Sequence, residues 1–380
     1  MIPYGKQHIT PEDIKEVAKV LQSDFLTQGP VVLEFEKKFA EYIGSKYAVA
    51  VANGTAALHL SALALGVKKG VNVITTPITF AASANCVLYA GGNVFFADID
   101  PSTQLLDIES VKSLLKSKDR NYFSGIIVVD FAGSPIDLEA YKKLADEYGF
   151  WIIEDAAHAP GGFFTDSKGG RQNCGNGNFA DLAIFSFHPV KHIATGEGGM
   201  ITTNNKNLYE KLLLLRTHGI TKDPQKLLEN HGGWYQEMQE LGFNYRLTDI
   251  AAALGISQLN RASENLKRRR EIAKKYAESF SKNKVIFTPL AVPGHAYHLF
   301  VITIPKRKGL YDYLKTEGIL AQVHYLPVHL HPYYSQFGWK RGDFKVAEKY
   351  YEECLSLPMF PSLTDKEQDF VIEKVLEFFK

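Results

Sequence analysis

Between residues 30 and 205 short β-branched or apolar runs alternate with amphipathic stretches, and this alternation narrows the possible folds more than any other feature. Tyr47–Val51, Val73–Thr76, Val94–Ala97, Ile126–Asp130, Trp151–Glu154, Leu182–Phe187 and Met200–Thr203 read as strands. Ala56–Leu65, Ile108–Ser117 and Leu138–Tyr148 read as helices between them. Strands joined through helices lie parallel, so the pattern predicts an α/β unit whose mostly parallel sheet is covered on both faces. Ligands of such sheets collect beyond the carboxyl ends of the strands. A short glycine-rich link joins the last two runs, so one of them is expected to run antiparallel.

The pattern changes after Thr248. Ala251–Leu259 and Leu266–Phe280 read as long helix, and the basic stretch Lys267-Arg268-Arg269-Arg270 reads as its solvated face. An apolar strand, His298–Ile304, then opens a smaller α+β unit that ends in a helix over Asp365–Phe379 with Thr364 as its N-cap. The expected organisation is a large α/β domain over 1–250, a connecting helix over 251–282 and a small C-terminal α+β domain over 283–380. A formal net charge of +1 provides no field for nucleic acid or an acidic membrane face. Cys86, Cys174 and Cys354 are widely spaced, which argues against a disulfide framework and suits a reducing compartment. With no apolar signal core at the N-terminus and no run near the roughly 20 residues of a membrane span, the expected location is the cytoplasm.

Lys191 lies between the apolar run Phe185-Ser186-Phe187 and the glycine-rich turn Gly196-Glu197-Gly198-Gly199. An amine half-buried there can lose its proton and attack a carbonyl, such as that of pyridoxal 5'-phosphate; a snorkelling lysine is the commoner fate of a lone one. Asp155 ends a strand and is followed by small residues that leave room for a flat ring, whose nitrogen a carboxylate could keep protonated. Its alternative is a helix N-cap. His158, three residues on, could reach the ring oxygen or the substrate. Asn53-Gly54-Thr55 leads from a strand into a helix, where backbone N–H groups and the Thr55 hydroxyl suit a single phosphate, and Ser186 could add another hydroxyl. Phe80, just beyond a strand end, could stack on the ring, although most phenylalanines are core residues.

In this order, these stretches resemble the DegT/DnrJ/EryC1/StrS family of fold-type I, pyridoxal-phosphate-dependent nucleotide-sugar aminotransferases. Leu26-Thr27-Gln28-Gly29-Pro30, Glu154-Asp155-Ala156-Ala157-His158, Arg216-Thr217-His218-Gly219 and Leu241-Gly242-Phe243-Asn244-Tyr245-Arg246 extend the resemblance essentially end to end. Two longer stretches, 234–246 and 318–329, are similar to the branch that makes the pseudaminic acid precursor. The resemblance implies Lys191 as Schiff-base lysine, Asp155 at the ring nitrogen, Phe80 on one ring face and His158 beside the ring. It implies Gly54, Thr55 and Ser186 at the phosphate, joined by Asn244 from the partner subunit of a homodimer. Substrate contacts are implied at Tyr4, Asp24, Phe25, Leu26, Thr27, Gln322, Val323, His324 and Tyr325.

The implied reaction moves an amino group from L-glutamate to C4 of a UDP-linked 4-keto-6-deoxy amino sugar, for flagellin glycosylation. Other 3- or 4-aminotransferases, of the legionaminic acid, perosamine or bacillosamine type, are the nearest alternatives. A sugar dehydratase of this family would carry histidine in place of Lys191, and a non-catalytic cofactor-binding regulator would not need the Lys191–Asp155 pair. His324, His329 and His331 could bind a metal, but no carboxylate or cysteine motif accompanies them, so no metal is expected. No nucleic-acid or membrane partner is expected. The glycine- and asparagine-rich segment 163–178 is more elaborate than the family's usual short connection.

Overall fold

The computed structural model describes all 380 residues. Seven strands make the central sheet: β1 (Tyr47–Val51), β2 (Asn72–Thr75), β3 (Asn93–Phe96), β4 (Gly125–Val129), β5 (Trp151–Asp155), β6 (Leu182–Ser186) and β7 (Gly199–Thr203). Their order is β1-β7-β6-β5-β4-β2-β3. Only β7 is reversed, pairing antiparallel with both β1 and β6. The expected strands therefore form, with ends displaced by about a residue, and the antiparallel member is the one after the glycine-rich link. All five residues of β4 are buried, as befits a strand covered on both faces.

Helices α1 (Pro11–Leu21), α2 (Pro30–Ile43), α3 (Gly54–Ala64), α4 (Ala82–Tyr89), α5 (Ile108–Lys116), α6 (Leu138–Tyr148) and α7 (Lys206–Arg216) accompany this sheet. Their ends follow local chemistry. Asp107 caps α5 by accepting from the Glu109 and Ser110 N–H groups. Gly149 closes α6 at φ +79°, a conformation that costs glycine nothing. One apolar core surrounds the sheet, and a second packs Phe35 and Phe39 of α2 against Phe185, Phe187 and Met200.

Two helices, α8 (Asp249–Asn260) and α9 (Ala262–Phe280), lead to the C-terminal region. Strands β8 (Phe300–Thr303) and β9 (Cys354–Leu357) pair antiparallel there. With α10 (Arg307–Thr316) and α12 (Asp365–Phe378) they build a third core around Tyr276, Phe280, Phe300 and Leu310; α11 (Lys345–Glu353) precedes β9. Thr364 caps α12 in a reciprocal box with Glu367. Ile2–Pro3 adds a short parallel pairing to Ile319–Leu320, which carries the N-terminal arm to the C-terminal region.

The basic stretch on α9 is not simply a solvated face. Arg269 is 1% exposed, and its Nη1 donates to the carbonyls of Tyr297, His298 and Met359 at 3.1–3.2 Å. Three converging carbonyls from two distant segments create this acceptor pocket, and nothing in the local charge pattern announces it. The segment 163–178 folds as a hairpin, with Phe163–Thr165 antiparallel to Arg171–Asn173.

Candidate active site

Strand ends and a helix start converge on a cavity of about 430 Å³. Asp155 arrives at the end of β5, Ser186 at the end of β6, and Lys191 on the turn that follows. β1 delivers Asn53, whose Oδ1 accepts from the Ala56 N–H at 2.8 Å and so starts α3. Gly54 and Thr55 then present first-turn N–H groups that have no preceding helical carbonyl.

Asp155 is buried, and both carboxylate oxygens are engaged. Oδ2 accepts from the Ser83 hydroxyl at 2.7 Å and Oδ1 from the Ala157 N–H at 3.2 Å. The residues after it form turns rather than a helix, so the N-cap alternative is not realised. Burial raises its pKa, against the opposing pull of those donors and of Lys191. Lys191 is half-buried. Burial lowers its pKa to about 8; Asp155 pulls upward and Arg269 pushes further down. The site thus pairs a buried carboxylate with an amine whose proton is held less tightly than an ordinary lysine's.

His158 Nδ1 accepts from the Ala132 N–H at 3.2 Å, which leaves Nε2–H to donate toward the Tyr325 hydroxyl at 3.4 Å. Burial holds its pKa well below the ordinary range, with Lys191, His324 and His192 pushing the same way, so the ring is neutral. Phe80 is 61% exposed and lies at the cavity wall, with its ring centroid 6.2 Å from that of Tyr325. It is therefore not a core phenylalanine. The His324 ring lies 5.3 Å from that of Tyr4, and its Nδ1 is 2.8 Å from the Ser356 hydroxyl.

Lys191, Asp155, His158, Gly54, Thr55, Phe80, Ser186, Tyr4, His324 and Tyr325 all line this one cavity. Others of the expected set do not. Asp24 and Phe25 border a separate groove beside Val31 and Ala253. Leu26 and Thr27 are exposed, with Thr27 bridged to Thr248. Gln322 is exposed and pairs with Ser356, and Val323 is half-buried next to it. Asn244 is exposed, paired through its backbone with Thr217. His329, from the histidine group considered for a metal, sits 3.0 Å from Glu348. Sequence reasoning missed Ser83 and His298 of the cavity lining. Ser83 follows Phe80 by less than one helical turn, a spacing that could have drawn notice; His298 had no local signal.

The family model of the DegT/DnrJ/EryC1/StrS aminotransferases matches residues 7–376. The chain belongs to that family. It is 39% identical over 389 residues to the spore coat polysaccharide biosynthesis protein SpsC of Bacillus subtilis, covering 100% of this chain and 97% of that one. It is 38% identical over 381 residues to a UDP-4-amino-4,6-dideoxy-N-acetyl-beta-L-altrosamine transaminase of Campylobacter jejuni, covering 98% and 96%. Helicobacter pylori PseC, an aminotransferase involved in the biosynthesis of pseudoaminic acid, superposes with a TM-score of 0.89 at 32% identity over 100% of this chain and 99% of that one. The protein is accordingly a sugar aminotransferase that uses pyridoxal 5'-phosphate.

The residues present fit that cofactor. A Cβ added to Gly54 would lie 3.0 Å from Ser186 Cβ and 3.3 Å from its Oγ, so only glycine leaves the helix start open beside that hydroxyl. Asp155 is buried with its charge offset by Ser83, the Ala157 N–H and Lys191, and the Lys191 proton is held less tightly than an ordinary lysine's. No helix of the chain is long and apolar enough to cross a membrane.

Proposed function

We propose that this aminotransferase moves the amino group of L-glutamate to C4 of UDP-2-acetamido-2,6-dideoxy-β-L-arabino-hex-4-ulose, giving UDP-4-amino-4,6-dideoxy-N-acetyl-β-L-altrosamine for pseudaminic acid and flagellin glycosylation. The observation that carries the amino-transfer chemistry is the pairing of Lys191, whose pKa burial lowers to about 8, with buried Asp155 at the carboxyl ends of the sheet. The likeness to the Campylobacter transaminase and to PseC supports the choice of sugar.

When bound, the cofactor supplies a ring that accepts the electron pair released at the α-carbon of the amino donor. Lys191 Nζ holds the cofactor, then serves as general base for the α-proton of glutamate and returns a proton to C4 of the sugar in the second half-reaction. Asp155 keeps a proton at the ring nitrogen. Gly54, Thr55 and Ser186 would bind the phosphate, Phe80 would stack on the ring, and neutral His158, whose Nε2–H points toward the Tyr325 hydroxyl, would lie beside the ring. Tyr4, His324 and Tyr325 line the same cavity and would meet the sugar nucleotide.

Asn244 and the 24–27 segment do not line their own chain's cavity, an arrangement suited to a homodimer in which they serve the partner's site; the compartment proposed is the cytoplasm. A different keto-sugar, destined for another surface polysaccharide, is the second reading, and the 39% identity with SpsC favours it. The deciding experiment incubates the holoenzyme with the 4-keto UDP-sugar and glutamate and identifies the product by NMR. An equatorial amine, an amine at C3, or no turnover alongside conversion of another keto-sugar nucleotide would overturn the assignment.

A further inference from the structure

The strand that presents Asp155 carries a second acid that amino transfer does not use. Side chains alternate across a strand, so Glu154 projects to the face opposite Asp155. There it meets Asp130, just past the end of β4, and Cys174, just after the hairpin. Their ligating atoms lie within 4.8 Å of one another, and all three residues are sealed from solvent. One oxygen of each carboxyl group is satisfied: Asp130 Oδ1 accepts from the Ile136 N–H and Glu154 Oε2 from the Gly175 N–H, both at 2.9 Å. The remaining two, Asp130 Oδ2 and Glu154 Oε1, are buried with no hydrogen-bond partner, and the Cys174 thiol is only a weak donor beside Asp130. The titratable groups facing them are each other, Cys174 and Asp155, and none of these brings positive charge.

Two adjacent carboxylates cannot both stay ionised in a dry interior without a cation, whereas one proton between the orphaned oxygens satisfies both. We propose that Glu154 is protonated in the folded enzyme and donates to Asp130, and that this shared proton positions Asp155. It would fasten β5 to the end of β4 and to the segment after the hairpin, while adding only one negative charge behind Asp155. The backbone is continuous with this role. Asp130 N–H donates to the Asp155 carbonyl at 3.1 Å, and the Gly175 carbonyl accepts from Thr202 Oγ1 at 2.7 Å, tying the segment to β7. Burial pushes Glu154 well above the carboxyl range and Asp130 up to about 6, which agrees with a retained proton. The inference rests on Asp155 serving the ring nitrogen.

The test compares wild type, E154Q and E154A, each as purified holoenzyme. In E154Q the amide carbonyl can still accept from Gly175 and the amide N–H can donate to Asp130, with no proton to lose. A carboxyl group whose folded pKa is raised favours the folded state at low pH, and that advantage declines as pH rises from the unfolded value to the folded one. Wild-type folding constants, from denaturant titrations, should fall by up to about tenfold per pH unit within that window from this one proton. E154Q should lack that component of the slope. E154A should bind pyridoxal phosphate more weakly in equilibrium dialysis, and E154Q should recover most of the loss.

An E154Q slope equal to wild type, or E154Q as impaired as E154A, would overturn the shared proton. So would a stoichiometric metal in the wild type that E154Q lacks, since aspartate, glutamate and cysteine can also ligate zinc. Unaltered cofactor affinity in E154A would overturn the positioning role. D155N tests the underlying assignment separately: if it binds the cofactor as wild type does, the Asp155 role fails while the pH slopes still decide the shared proton.

Discussion

Gly54→Ala should separate cofactor binding from folding. Gly54 opens α3 with a backbone that alanine can adopt, because its φ is not among the positive values. Alanine in place of glycine removes unfolded-chain freedom and can contribute up to about 1 kcal/mol of stability. The new methyl would sit 3.0 Å from Ser186 Cβ, 3.3 Å from its Oγ and 3.6 Å from its Cα. The end of β6 must yield by a few tenths of an ångström, and the opening between the helix start and the Ser186 hydroxyl narrows. Losing one charge-assisted hydrogen bond to a phosphate there costs about 1.5–3 kcal/mol, or roughly 10- to 100-fold in affinity. The assay pairs thermal unfolding of apo-protein with equilibrium dialysis against pyridoxal phosphate. The expectation is a melting temperature unchanged or slightly raised and a dissociation constant at least about tenfold weaker. Unchanged affinity would refute the placement of the phosphate at this helix start. A large loss of apo stability would refute the argument that the space is kept for a ligand.

Arg269→Met should raise the pKa of Lys191 above about 8, because it removes a nearby like charge, and Asp155→Asn should lower it by removing the opposite one. The pH midpoint for uptake of pyridoxal phosphate by apo-protein should move up in the first variant and down in the second; equal midpoints would disprove the electrostatic account. For the proposed dimer, Lys191→Ala should abolish turnover while still allowing cofactor binding, and Asn244→Ala should weaken cofactor binding. Co-refolding equal amounts of the two should restore activity toward about a quarter of wild type, since half the dimers are mixed and each has one intact site. No recovery would place Asn244 in its own chain's site.

Much of this protein was legible in the order of its residues because the signals are local. The alternation of strand and helix patterns depends on side-chain periods along a few residues, and it yielded the sheet and its one reversed strand. Lys191, Asp155, Gly54 and Ser186 stand at strand ends or a helix start, and a parallel sheet brings such ends to one rim. Leu26, Thr27 and Gln322 were harder to place because a motif in one chain does not say which cavity it serves. Arg269 was misread for a related reason: a run of basic residues looks solvated until three carbonyls from the segment before β8 and from Met359 close around it.

What the amino-acid order determined by itself was the element pattern, the family and the residue types available for amino transfer. Tertiary structure alone decided their charge states. Lys191 gives up its proton more readily than an ordinary lysine because burial strips water from the amine and Arg269 adds a like charge. Ser83 meets Asp155 across a sequence separation of 72 residues. Glu154 faces Asp130 and Cys174 only after β4, β5 and the hairpin have docked. Desolvation and Coulomb interaction depend on distance in space, which the period of a helix or strand does not encode.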